Sequence, residues 1–273
     1  MKYVDIIICL AGVALLAHWL LRTSLGRRAL ADSPPRRNDM PFYLPLIPFF
    51  FSFGIVSMAA VIAGKLTEDW PDWQRAIVDN IVQCIGVILT AILIVILARV
   101  HFAGRLKGFG LGFRGFAKNL LLAPLYLLAV LPLIWVAVEL TENVARHVSD
   151  PEYQMQKHQQ LQVVTENPQL ALRILVVAGA VLIGPFFEEL LFRGLIQTTI
   201  RSFLSEAGKR VWPAIVFSSL LFMIMHSDPG HWPALFVLGM CMGYAYEKSG
   251  SLWRPIFIHV MFNAINVIGT LIS

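Results

Sequence analysis

Long apolar runs constrain this 273-residue chain more than any other feature. Eight of them can be counted, at about 4–21, 41–64, 76–98, 119–140, 170–200, 211–226, 232–247 and 255–272. Roughly 20 apolar residues are needed for a helix to cross a hydrocarbon core about 30 Å thick. Most of the runs meet that length. The sixth and seventh are shorter and suit little-tilted helices or helices set inside a bundle. Backbone polar groups inside lipid must be satisfied within a helix or a closed barrel, and runs of this length select helices. With 57% hydrophobic and only 14% charged residues, against about a quarter charged in soluble domains, the composition agrees. The fold class is all-α, a polytopic membrane helix bundle of about eight transmembrane helices.

The basic residues sort by side. The connections 22–40, 99–118, 193–210 and 248–254 hold 16 of the 22 Lys and Arg, all on alternate turns of the chain. By the positive-inside rule these face the cytoplasm, which puts both termini on the outer side. The net charge of +5 is thus accounted for by topology, and nucleic acid is not implied. The first run is read as an uncleaved span, because Arg22, Arg27 and Arg28 separate it from the cleavage-like Ala29-Leu-Ala31. Six of the tryptophans, Trp70, Trp73, Trp135, Trp212, Trp232 and Trp253, fall near segment ends, as an interfacial belt would place them. The outer connection carries a Gln-rich stretch, 153–162, with the makings of an amphipathic surface helix. Cys9, Cys84 and Cys241 each lie in an apolar run and read as buried small hydrophobes. Gly110-Leu-Gly-Phe-Arg-Gly115 matches a dinucleotide-binding pattern, but no strand precedes it, so it is a flexible basic entry to the fourth span.

Against this background the polar residues inside apolar runs stand out. Pro185-Phe-Phe-Glu-Glu-Leu-Leu-Phe-Arg193 places two carboxylates and a guanidinium within the fifth run. Each such charge costs about 2.5–3.5 kcal/mol on insertion scales, so it marks a functional site unless it merely ties helices together. Glu189 and Arg193 are four apart and can pair along their own helix, which leaves Glu188 pointing elsewhere. The sixth run ends in Phe222-Met-Ile-Met-His226, and the eighth holds His259, Asn263 and Asn266 on one helix face. A lone histidine or asparagine here reads as packing or interhelical glue. One Glu, two His and one Asn on three spans suit water activation instead: Glu188 takes a proton from water, His226 orients it, and His259 and Asn263 donate to an oxyanion. The same Glu188, His226 and His259 also form a ligand set for a divalent metal such as zinc. His-Glu-x-x-His is absent. Asp228 and His231 beside His226 offer an outer-side metal pair, with an ordinary turn as the plainer reading.

The sequence resembles the CAAX prenyl protease and bacteriocin-processing (CPBP) family of intramembrane proteases, also called the Abi family. Its motifs Glu-Glu-x-x-x-Arg, Phe-x-x-x-His and His-x-x-x-Asn match Glu188–Arg193, Phe222–His226 and His259–Asn263, in order. The resemblance implies a membrane-embedded endopeptidase, glutamate-dependent or metallo-endopeptidase. It assigns Glu188 as general base, His226 as its partner at the water, and His259 and Asn263 as oxyanion donors, with Glu189, Arg193 and Phe222 in support. Residues 166–273 would form the catalytic core, and 1–165 a variable set of four helices plus the outer connection. The implied partners are a peptide or protein substrate at the membrane and the lipid bilayer; the implied location is the plasma (inner) membrane if the host is bacterial. A non-enzymatic immunity or chaperone-like protein and a proton-coupled transporter are the competing readings.

One geometric conflict stands. At about 1.5 Å per residue, Glu188, His226 and His259 lie roughly 18, 22 and 7 Å from the basic ends of their runs. The turn Lys248–Pro255 is therefore expected to be drawn into the bundle, lining a water-filled cavity open to the cytoplasm.

Overall fold

The computed structural model describes residues 2–34, 36–148, 152, 163–165, 167–205 and 211–272. The Gln-rich stretch 153–162 with its expected surface helix, and the basic residues Lys157, Lys209 and Arg210, lie outside them. Every apolar run becomes helix: α1 (Lys2–Arg22), α2 (Leu46–Leu66), α3 (Asp72–His101), α5 (Phe116–Val148), α6 (Leu170–Leu204), α7 (Val211–Ile224), α8 (Trp232–Ser249) and α9 (Trp253–Ile272). A short α4 (Arg105–Phe109) sits between left-handed Gly104 and Gly110. Six of these, α1, α2, α3, α5, α6 and α9, are long and apolar enough to cross a membrane. The protein is an integral, multi-pass membrane protein, and the two short runs, as their length suggested, complete the bundle as α7 and α8.

Burial divides the helices. α1 and α2 leave apolar side chains such as Ile7, Leu10, Ile55 and Met58 exposed, as lipid-facing helices do. α2 packs only on α3 among the larger helix contacts, and α1 on α5. The core lies between α3, α5, α6, α8 and α9, where Ile94, Leu127, Leu191, Leu238 and Ile258 pack together. α8 touches α5, α6, α7 and α9, so it is the central strut.

The four basic connections meet at one end of the bundle. Asn38 bridges to Phe102, and its side chain donates to Ser202 Oγ at 2.9 Å. Arg36 donates to Tyr246 O at 2.7 Å, and Lys248 Nζ to Asp32 Oδ1 at 2.6 Å. That last bond holds the exposed Asp32 carboxyl below its ordinary value. Two of the counted charges are not loop charges at all: Arg193 is fully buried within α6, and Arg254 is nearly so at the start of α9.

The turn joining α8 to α9 is drawn into the protein. Leu252 is fully buried, and its N–H donates to Gly110 O at 2.9 Å. Gly110 has φ +106°, and a Cβ there would stand 3.0 Å from Leu252 N, so a glycine is required for this close approach. The dinucleotide-like glycine pattern thus serves as the seat of the turn.

Candidate active site

The site is built on irregularities in α6. Two stretches, Gly179–Ile183 and Glu189–Gln197, are π-helical, with an α turn, Gly184–Glu188, between them. Pro185 has no N–H to continue the ladder, and the wider turn ahead of it absorbs the break. Helical irregularities of this kind concentrate at functional sites. Here the boundary falls between the two glutamates.

Glu189 opens the second π stretch and is fully buried. Its Oε1 accepts from Arg193 Nη1 at 3.1 Å and from His259 Nδ1 at 2.9 Å. A carboxylate paired with arginine only accepts, so Nδ1 carries the hydrogen and Nε2 is the atom left for chemistry. Nε2 faces Glu188 Oε2 at 3.8 Å. Glu188 differs from its neighbour in that a quarter of its side chain is exposed; each of the two glutamates keeps a buried Oε2 without a hydrogen-bond partner, and that of Glu188 is the one facing His259 Nε2. Oxygen and nitrogen 3.8 Å apart can both reach a single small atom between them. The expected pairing of Glu189 with Arg193, leaving Glu188 aside, is what the structure contains, and the contact of Glu189 with His259 is an addition to it.

Phe222 is the hub around which the rest is packed. Its fully buried ring takes the Arg193 guanidinium at 4.4 Å, Phe192 at 5.4 Å, His226 at 4.8 Å and His259 at 5.7 Å. His226 sits in the turn just past α7, where Nδ1 lies 2.8 Å from Phe222 O. That carbonyl only accepts, so Nε2 of His226 is its open atom. Among the described residues no hydrogen bond or ion pair joins His226 to Glu188 or His259. Asn263 donates to Ala180 O at 2.8 Å, tying α9 to the first π stretch and leaving its second amide hydrogen available. Asn266 does not share this face: it is exposed and donates to Phe262 O at 3.1 Å.

The metal alternative meets a geometric obstacle. Among the described residues no three His, Cys, Asp or Glu side chains stand together as a metal site, so Glu188, His226 and His259 do not converge into a ligand set. Asp228 is a turn cap, accepting from Gly230 N at 2.9 Å and lying 2.7 Å from His231 Nδ1. The drawn-in turn lines a cavity of about 340 Å³, but Glu188, Glu189, His226 and His259 are not part of its wall. The drawn-in turn lines a cavity, as expected of it, and its position brings His259 to the depth of the two glutamates.

A polar column below the site was not foreseen. From Glu189 it runs along α6 through Arg193, Gln197 and Arg201, each four residues on. Residues four apart are neighbours on one helix face, so these side chains follow one another along α6. Opposite, α8 offers Gly239 O to Arg193 at 3.3 Å and Gly243 O to Gln197 at 3.2 Å. The fully buried Glu247 accepts from Gln197 at 2.9 Å and pairs with Arg201. A Cβ at Gly243 would stand 2.8 Å from Gln197 Oε1, so the missing side chain makes room for the column. Matching four-residue spacings, polar on α6 and Gly-Gly-Glu on α8, were the available signal.

Residues 170–265, which contain all three motifs, match the family described as Rce1-like, type II CAAX prenyl endopeptidase. A putative membrane peptidase of Bacillus subtilis (strain 168), YdiL, is 29% identical over 109 residues, covering 38% of this chain and 43% of that protein. The membrane-embedded CAAX protease MroQ of Staphylococcus aureus (strain USA300) is 34% identical over 95 residues, covering 34% and 38%. The match thus spans about two fifths of the length of either relative. No solved structure matches the chain. The resemblance drawn from the motifs is borne out over this C-terminal segment.

Proposed function

We propose that the protein is a membrane-embedded endopeptidase in which Glu188 activates water directly. The observation that carries this reading is the contrast at one site: Glu189 is fully buried and held by Arg193 and His259, while Glu188 is a quarter exposed and turns an unpartnered oxygen to His259 Nε2 at 3.8 Å. In the reaction, Glu188 takes a proton from a water held beside His259, and the water oxygen bonds to the scissile carbonyl carbon. The carbonyl oxygen becomes an oxyanion, which the free amide hydrogen of Asn263 stabilises, while Nε2 of His259 keeps the attacking water in place. As the C–N bond breaks, Glu188 returns the proton to the departing amine. Glu189 fixes the His259 ring from behind through Nδ1. His226, with its Nε2 open, orients water or peptide from the other edge of Phe222.

The names of the relatives support a peptide substrate at the membrane, cut near a C-terminus of the CAAX type or after a leader. The four basic connections would face the cytoplasm, with both ends of the chain outside, in the plasma membrane of a bacterial host. The residues that converge favour a metal-free mechanism.

The test compares membrane proteomes from cells carrying the wild type or Glu188→Gln. Precursors uncut only in the variant are the expected result, with purified wild-type protein cleaving one of them undiminished by chelators. Unchanged proteomes, together with proton-coupled uptake in liposomes that the same substitution removes, would replace the peptidase with a transporter. Chelator-sensitive cleavage would replace the mechanism.

A further inference from the structure

At the basic end of the bundle, the loop 110–119 and the turn 248–254 enclose the cavity of about 340 Å³. Lys107, Arg114, Lys118, Lys248 and Arg254 line it, and no carboxylate does. Lys107, Arg114 and Lys118 are exposed and make no ion pair or hydrogen bond among the described residues. Lys248 is already engaged with Asp32. Arg254 is the unusual member. Only 6% exposed, it donates from Nε to Asn119 Oδ1 at 3.1 Å and from Nη1 to Tyr126 OH at 3.0 Å, both neutral groups. The Tyr126 ring, 5.2 Å away, adds a cation–π contact. A buried guanidinium without an acidic partner is costly, and neutral acceptors offset only part of that. The peptidase reading makes no use of it.

The neighbourhood indicates which anion fits. Beside the cavity, Phe113, Phe116 and Trp253 form one aromatic cluster, with centroids 5.0–5.9 Å apart, and Phe113 is largely exposed. Tryptophan at a helix end, as Trp253 is at the start of α9, lies at headgroup level in a bilayer. Cations ringing a recess beside Trp253 and the exposed Phe113 ring match a phosphate with acyl chains attached. We propose that this cavity binds a phosphate group supplied by an anionic phospholipid headgroup, with Arg254 at its base and Lys107, Arg114 and Lys118 around its mouth. Bound there, the lipid braces the turn from which α9 carries His259 towards Glu189.

The full chain is reconstituted in nanodiscs of phosphatidylcholine containing rising fractions of phosphatidylglycerol, and thermal unfolding is followed. A parallel arm adds inorganic phosphate to phosphatidylcholine nanodiscs. The expected result is a saturable rise in Tm with phosphatidylglycerol, and co-retention of that lipid in native mass spectrometry. The triple change K107Q/R114Q/K118Q, on exposed side chains that leave the core intact, should weaken the response at least tenfold, on the scale of about fivefold per surface cation. The control R22Q/R27Q/R28Q removes the same number of exposed charges from side chains that do not line the cavity, and should weaken the response clearly less than the first triple change. Equal losses in both variants would show general surface attraction and overturn the site. A response to inorganic phosphate with none to phosphatidylglycerol would overturn the lipid as its source, and no response to either would overturn the proposal.

Discussion

Glu188 and Glu189 are adjacent in the chain and belong to two differently built regions. Around Glu188 the protein is half open, with one oxygen unpartnered and a histidine nitrogen at 3.8 Å. Around Glu189 it is closed: the carboxylate is buried, bonded to Arg193 and His259, and continues into a column that ends at Glu247 and Arg201. The change from α to π helix falls between them and turns one residue towards the gap and the other towards α8 and α9. A group meant to exchange protons needs a lone pair within reach of water, whereas a group meant to hold others in place is best enclosed by them. The two regions therefore divide reactivity from rigidity, and substitutions should separate them.

The largest effect is expected at Glu188. Glu188→Gln should lower cleavage by about 10²–10⁴-fold, the usual contribution of a general base, while the thermal midpoint of the purified protein stays close to wild type. A midpoint that fell as far as for a Glu189 variant would erase the distinction. Next comes Glu189→Gln, which leaves Arg193 buried beside a neutral group and should cost about 3–5 kcal/mol in denaturant unfolding. Removing both charges, as Glu189→Gln with Arg193→Met, should restore much of that stability without restoring cleavage, because His259 still lacks its carboxylate. Recovery of full activity in the double variant would show that Glu189 does not orient the ring.

Asn263→Ala tests the border between the regions. It removes the bond to Ala180 O, worth about 1 kcal/mol, and the proposed oxyanion donor, worth about 10²–10³-fold in kcat. A loss confined to stability would move Asn263 to the rigid side. Glu247→Gln, at the far end of the column, should be the mildest of the set for activity, only a few-fold in kcat, with about 1–3 kcal/mol of stability lost, since Arg201 is partly exposed and can turn to water. A loss of activity matching that of Glu188→Gln would mean that the column takes part in the reaction.

Some of this was readable in advance because it depends on local composition. The apolar runs foretold the helices, since the bilayer sets the length of each one. Alternation of basic connections foretold that 22–40, 99–118 and 248–254 share one end, where Asp32, Gly110, Lys248 and Leu252 now meet. Four-residue spacing foretold the pairing of Glu189 with Arg193. The same rule misled at Asn266: a seven-residue interval gives a shared face on an ideal helix, but α9 turns that end outwards. Helix length also could not place His226, which lies beyond the last turn of α7 with Phe222 between it and Arg193.

By itself, then, the sequence determined an all-helical membrane protein, which end carries the basic turns, and which few polar residues must be kept out of lipid. Those follow from the cost of moving each side chain or peptide group into hydrocarbon, a property of the residue alone. Only the tertiary structure decided that His259 reaches Glu189, that Glu188 stays partly exposed beside His259 Nε2, and that Gln197, Arg201 and Glu247 extend the polar interior. These depend on how far the turn at 248–254 sinks against Gly110 and on where α6 widens into π turns. Both are outcomes of helices packing against one another, which hydrophobic periodicity does not encode.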